Sequence, residues 1–219
     1  MDSVVPKPTS SQSATQRAYL ELRQQIITGR IAPGERLKVE VLKERLDTGA
    51  SPVREALSLL TSDQLVERID QRGFRAAQAS RAQFEEILNL RCHLEELALR
   101  ASLAKGDSAW EEELVLAHHY LTRADRADLE AFEARHKAFH MGLIGACNSP
   151  ILLRFCSQLY DLNVRYRYLA GTTASYRSRD VAAEHRAILD AAVSRDTERT
   201  VALLTEHYRK TGAFLAELL

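Results

Sequence analysis

Two imidazoles stand four residues apart in His136-Lys137-Ala138-Phe139-His140. On a helix that spacing puts both on one face, about 6 Å apart along the axis, where they can chelate one metal ion. The same spacing is the zinc-binding half of a hydrolytic HExxH site, whose glutamate acts as general base. Here Lys137 and Ala138 fill the positions after His136, and no other base is paired with a nucleophile. The chain is therefore expected not to be an enzyme, with a metal-dependent hydrolase as the rival reading.

Two further histidines fall on apolar stripes. His185 shares one with Ala182, Ile188, Leu189 and Ala192, and His207 follows Leu204 and precedes Thr211 and Phe214. Four inward histidines on three helices are either the ligands of a metal ion or neutral core imidazoles, each hydrogen-bonded to a carbonyl in a bundle that serves only stability. Arg91 interrupts the apolar face of Ile87, Leu88, Leu94 and Ala98. A buried guanidinium needs an anion, either Glu95 one turn later or a ligand carboxylate. Phe155, Leu159, Asn163 and Tyr166 share another face, which makes Asn163 and Tyr166 polar candidates over a cavity.

The elements that must position these groups follow from periodicity and punctuation. Tyr19, Leu22, Ile26 and Ile27 mark a first helix, which Gly29 and Pro33-Gly34 end. Val39 to Leu46 predicts a second. Ser51-Pro52 predicts the start of a third, with Ser51 as N-cap and Pro52 at the first helical position. Two strand-like runs, at 65–69 and 73–77, complete the order of a winged helix-turn-helix. From Ser80 onward only helical segments are expected, at about 80–105, 108–124, 128–146, 149–171, 179–194 and 197–217. The expected fold is mainly α: residues 1–13 a disordered lead-in, 14–78 a winged helix-turn-helix, and 79–219 an antiparallel all-helical bundle.

In a helix-turn-helix the second helix turns its first residues toward base edges while cations hold phosphates. Ser51 and Arg54 occupy that first turn, Lys38 and Lys43 lie on the preceding helix, and Arg72-Gly73 form the tip of the wing. The alternative is a small helical unit with ordinary surface charge. Thirty basic and thirty acidic residues cancel, so overall charge selects no polyanionic partner. Three cysteines without a CxxC pair fit a reducing compartment, and the absence of a long apolar run or signal peptide fits a cytoplasmic protein without membrane contact.

Several motifs carry a resemblance. Leu22-Arg23-Gln24-Gln25-Ile26-Ile27-Thr28-Gly29, Pro33-Gly34-Glu35-Arg36-Leu37, Ser51-Pro52-Val53-Arg54-Glu55-Ala56-Leu57, Leu65-Val66 and Arg72-Gly73-Phe74 are spaced as in the GntR family of bacterial transcription regulators. The chain resembles the FadR-like branch, whose effector domain is of the FCD type, over about residues 14–217. The resemblance implies a homodimer on double-stranded operator DNA, with Arg91 facing an effector cavity. It also implies a divalent metal held by His140, His185 and His207. His136 stands where the metal-binding members carry an acid: either it replaces that acid as a ligand, making the site neutral and suited to zinc, or nickel, over harder ions, or it lies outside the ligand set. One departure is Ala50, where the family commonly has an arginine. The run from Asn148 to Cys156 is similar to the subgroup of carbon-starvation-induced, glutarate-responsive repressors, which implies a small dicarboxylate effector such as glutarate and a carboxylate catabolic operon.

Overall fold

The structure, a computed structural model, describes residues 13–170 and 180–217. Contacts divide the chain between Gln78 and Ala79. The expected lead-in lies outside the described residues up to position 12. Ser13 belongs instead to the first helix, where its Oγ caps Gln16 N at 3.1 Å.

The first unit holds α1 (Ala14–Ile27), β1 (Arg36–Leu37), α2 (Val39–Arg45), α3 (Ala50–Ser62), β2 (Val66–Ile69) and β3 (Gly73–Ala76). Its core is made by Leu22 and Ile26 of α1 and Val53, Leu57 and Leu60 of α3, all without solvent contact. The hairpin is joined by β1, giving an antiparallel sheet in the order β1-β3-β2, with Leu37 opposite Phe74 and Ile69 opposite Gly73. The third strand has only two residues, too few for an alternating pattern to announce it. Gly34, at φ +76, turns the chain into it, and a Cβ there would lie 2.7 Å from the Gln78 side chain.

The start of α3 corrects the expectation for Ser51. The helix begins at Ala50, and Gly49, in extended conformation, is its cap without a side-chain hydrogen bond. Ser51 is inside the first turn and Pro52 is the third helical residue, where an N–H has no intrahelical acceptor and its loss costs nothing.

The second unit is helical throughout its described residues: α4 (Arg81–Lys105), α5 (Ser108–Thr122), α6 (Leu129–Ile144), a 3-10 turn (Gly145–Cys147), α7 (Pro150–Ala170), α8 (Val181–Val193) and α9 (Thr197–Ala216). Ser80, Asp107, Asp128, Asp180 and Asp196 each accept a backbone N–H with their side chains at the starts of α4, α5, α6, α8 and α9. Each such cap contributes about 1 kcal/mol. Leu99, Leu114, Phe139, Leu143, Ile188 and Leu204 form the core. Burial on α7 changes along its length: Ile151 and Phe155 are exposed, whereas residues 160–167 are buried on every side. The single face expected from Phe155 to Tyr166 is therefore not a single buried face.

At Gly212 on α9 an added Cβ would lie 2.1 Å from Cδ2 of Leu88 on α4. Gly212→Ala is expected to destabilise by about 1–3 kcal/mol through overpacking, despite alanine's better helix propensity. The urea midpoint reads this directly. A midpoint at or above that of the wild type would show that Leu88 swings aside.

Candidate metal centre

His136 and His140 on α6, His185 on α8 and His207 on α9 are all buried, and each offers a nitrogen such that the four atoms lie within 4.8 Å of one another. Nε2 of His136 is 3.1 Å from Nε2 of His140 and 3.2 Å from Nε2 of His185. Nitrogens bound to one tetrahedral zinc stand about 3.3 Å apart, so this is the spacing of neighbouring ligands.

The opposite edges of the rings decide which nitrogens carry protons. Nδ1 of His136 is 2.5 Å from the Tyr160 hydroxyl, which donates its own proton to Glu133. Nδ1 of His140 is 2.9 Å from the Tyr208 hydroxyl, which donates to Glu95. Nδ1 of His207 is 2.7 Å from Glu184 Oε2. At His140 and His207 the oxygen accepts, so Nδ1 bears the hydrogen and Nε2 keeps a lone pair; at His136 Arg167 Nη2 also approaches Nδ1, at 3.4 Å, and donates to the Tyr160 hydroxyl at 3.0 Å. Burial first, and then the neighbouring rings, hold His136 and His140 well below the usual histidine pKa; burial pushes His185 down to about 2. Neutral rings whose lone pairs converge repel one another unless a cation lies between them. The donor set therefore fits a divalent ion, and none of these Nδ1 contacts is to the backbone carbonyl that an ordinary core histidine would use.

The two candidate partners of Arg91 are resolved in favour of the carboxylate, with donors left over. Its Nε donates to Glu95 at 2.6 Å and its Nη1 to Asn163 Oδ1 at 3.1 Å, while Nη2 and the Asn163 amide nitrogen are buried without a hydrogen-bond partner. Burial works against the charge of Arg91, and Glu95 together with Tyr208 and Tyr160 more than offsets it, raising the pKa. Both residues line a narrow cavity with Arg167, His207, Tyr208 and Thr211. Tyr166 is not among its lining: it packs on Phe84 and donates to Gln83 at 3.1 Å. Glu133, Tyr160, Arg167, Tyr208 and Glu184 are the groups that reading the sequence did not assign. Two local signals were present, Glu184 just before His185 and Glu133 one turn before His136 on α6; Tyr160, Arg167 and Tyr208 meet His136 and His140 from other helices.

In the first unit Ser51, in the first turn of α3, and Arg54, just beyond it, are exposed, and Lys38 is exposed at the cap of α2. Lys43 pairs with Glu40 at 2.5 Å. Arg72 and Gly73 are exposed at the wing, where Gly73 takes φ +90 with open space around its Cα.

Residues 14–75 match the gntR family of bacterial regulatory proteins, and residues 86–210 match the FCD domain. The chain belongs to the GntR family. Within it the chain lies in the FadR-like branch with an FCD effector domain. It is 32% identical over 197 residues to the HTH-type transcriptional repressor GlaR of Escherichia coli, covering 86% of this chain and 90% of that one. It is 37% identical over 212 residues to the uncharacterized HTH-type transcriptional regulator BphR of Paraburkholderia xenovorans, covering 92% and 85%. The solved structure of E. coli McbR/YncC matches with a TM-score of 0.79 at 25% identity, over 94% of this chain and 99% of that one. This GntR-family protein is thus a ligand-responsive DNA-binding transcription regulator and not an enzyme. Among its described residues no helix is long and apolar enough to cross a membrane.

Proposed function

We propose that this regulator is a cytoplasmic, homodimeric repressor of a carboxylate catabolic operon, released by a small dicarboxylate such as glutarate bound beside a divalent metal ion. Residues 14–78 read the operator and residues 79–219 hold the metal, bind the effector and dimerise. The observation that carries the reading is that His207, one of four clustered imidazoles, lines the same narrow cavity as Arg91 and Asn163, which keep unsatisfied donors.

Charge favours a dianion. Arg91 is already matched by Glu95 and Arg167 by Glu133, while His136, His140, His185 and His207 are neutral ligands. A divalent ion in that set makes a positive centre, offset in part by Glu184 beside His207, for an anionic effector to balance. Neutral nitrogen ligands also select zinc or nickel over magnesium or calcium. The bound ion supplies a positive centre for one carboxylate. Arg91 Nη2 and the Asn163 amide supply donors for oxygen atoms that lack protons. Tyr166 lies outside this group, with its hydroxyl on Gln83 of α4.

On the DNA side, Ser51 and Arg54 face base edges, Lys38 and Lys43 face phosphates, and Arg72-Gly73 let the wing approach a groove. Exposed Leu97, Ile151 and Phe155 give the second unit apolar surface of the kind a second copy would cover. The effector acts only if it prefers one arrangement of the dimer, since equal affinity for both shifts nothing.

Two measurements test the proposal. Elemental analysis of purified protein should find about one zinc or nickel per chain; metal-free protein that takes up neither ion supports the reading of the bundle as a stability module. Gel shifts with the operator and a panel of C4 to C6 diacids should show release, strongest near glutarate. No release by any of them would exclude the effector class.

A further inference from the structure

Behind two of the metal-facing histidines the structure repeats one arrangement. From His136 the path runs to the Tyr160 hydroxyl at 2.5 Å, from Tyr160 to Glu133 Oε2 at 3.3 Å, and from Glu133 to Arg167 Nη2 at 2.5 Å, with Arg167 Nη2 also donating directly to Tyr160 at 3.0 Å. From His140 it runs to the Tyr208 hydroxyl at 2.9 Å, from Tyr208 to Glu95 Oε2, and from Glu95 Oε1 to Arg91 Nε at 2.6 Å. Each path is histidine, tyrosine, glutamate, arginine, and both arginines line the cavity. All eight side chains are buried.

Two carboxylates taken into a helical core are costly unless the interactions they make require a charge. Arginine alone would neutralise each glutamate. It would not explain why the remaining acceptor capacity of each is turned on a tyrosine whose oxygen accepts from a histidine. We infer that Tyr160 and Tyr208 are positioning residues: they hold His136 and His140 as Nδ1–H tautomers with Nε2 toward the metal, and through Glu133 and Glu95 they link metal binding to anion binding at Arg167 and Arg91.

The direction of the link follows from the hydrogen bonds. An anion on the unsatisfied Nη2 of Arg91 takes up part of the guanidinium's charge and weakens its hold on Glu95. The carboxylate then pulls harder on the Tyr208 proton, the phenolic oxygen becomes a better acceptor, and the imidazole becomes a stronger ligand. Glutarate should therefore tighten zinc binding, and by reciprocity zinc should tighten glutarate binding.

The inference rests on the proposed metal centre, and the test separates the two. Zinc affinity is measured by chelator competition in wild type, Tyr208→Phe and Tyr160→Phe, and the ring tautomers are read from 15N shifts of the metal-free proteins. Each variant is expected to bind zinc about 10–100-fold more weakly. Tyr208→Phe should turn only His140, and Tyr160→Phe only His136, into a mixture of tautomers. The tightening of zinc by glutarate should shrink in both. A purely structural hydroxyl would lower thermal stability and leave the tautomers unchanged. Should one variant not fold, the other reads the equivalent path. Wild-type zinc affinity, wild-type tautomers or wild-type tightening in a folded variant overturns the inference, whereas failure of the wild type itself to bind zinc overturns the metal centre and the inference with it.

Discussion

Arg54→Ala is expected to remove specific operator binding and leave the fold untouched. The α3 residues that hold the first unit together are Val53, Ala56, Leu57 and Leu60, all fully buried, whereas Ser51, Arg54 and Ser58 are exposed. Ser58 turns its hydroxyl back to the Arg54 carbonyl at 2.9 Å, so Arg54 is the long side chain on that side of the helix start. A bidentate arginine contact with guanine is worth about 1–3 kcal/mol, and a dimer on two half-sites loses it twice. The expected loss is about 100-fold or more, measured by fluorescence anisotropy against both operator and scrambled DNA. With alanine at position 50, no neighbouring arginine offsets it. Arg54→Lys adds a second readout: it keeps a phosphate charge and loses the planar fork, so specific binding should fall while the salt dependence stays. Specific binding retained by a folded Arg54→Ala protein would remove α3 from the groove.

The order of helices was legible because each one carries its own period and its own stop. The Ser or Asp before α4, α5, α6, α8 and α9 caps each start, and the turn at Asn148, with φ +58, separates α6 from α7. The four histidines were legible for the same reason, since a polar residue on an apolar stripe shows up within one helix. Their supports did not. Tyr160 is 24 residues from His136, and Tyr208 is 68 from His140, and tyrosines on apolar faces are ordinary core residues until their hydroxyl partners are known. Glu95 was visible as the i+4 neighbour of Arg91, and yet the choice between it and a ligand was falsely exclusive: one guanidinium edge holds the carboxylate and the other remains in the cavity. Tyr166 shows the converse. Its spacing from Asn163 is one turn, but α7 is buried on all sides there, so sharing a face did not mean sharing a cavity.

His185→Ala is expected to separate sensing from DNA binding. Four ligands in a structural zinc site together contribute about 10–16 kcal/mol, so losing one costs roughly 3 kcal/mol, about two orders of magnitude in zinc affinity. His185 is the residue to remove, because His136 and His140 on α6 hold each other's spacing while His185 reaches the centre from α8, with its ring against that of Phe139. The variant should bind the operator with wild-type affinity and fail to release it with glutarate. In cells such a protein represses whether or not the diacid is present. His136→Asp distinguishes loss of the ion from loss of its charge. A carboxylate can replace the imidazole as a ligand, so metal should be retained, while the centre becomes less positive by one. Preference for a dianion over a monoanion should then weaken, read as the ratio of glutarate to butyrate affinities by calorimetry. If His185→Ala still releases DNA with glutarate at the wild-type concentration, the effector does not use the metal, and the unsatisfied donors on Arg91 and Asn163 would have to account for recognition alone.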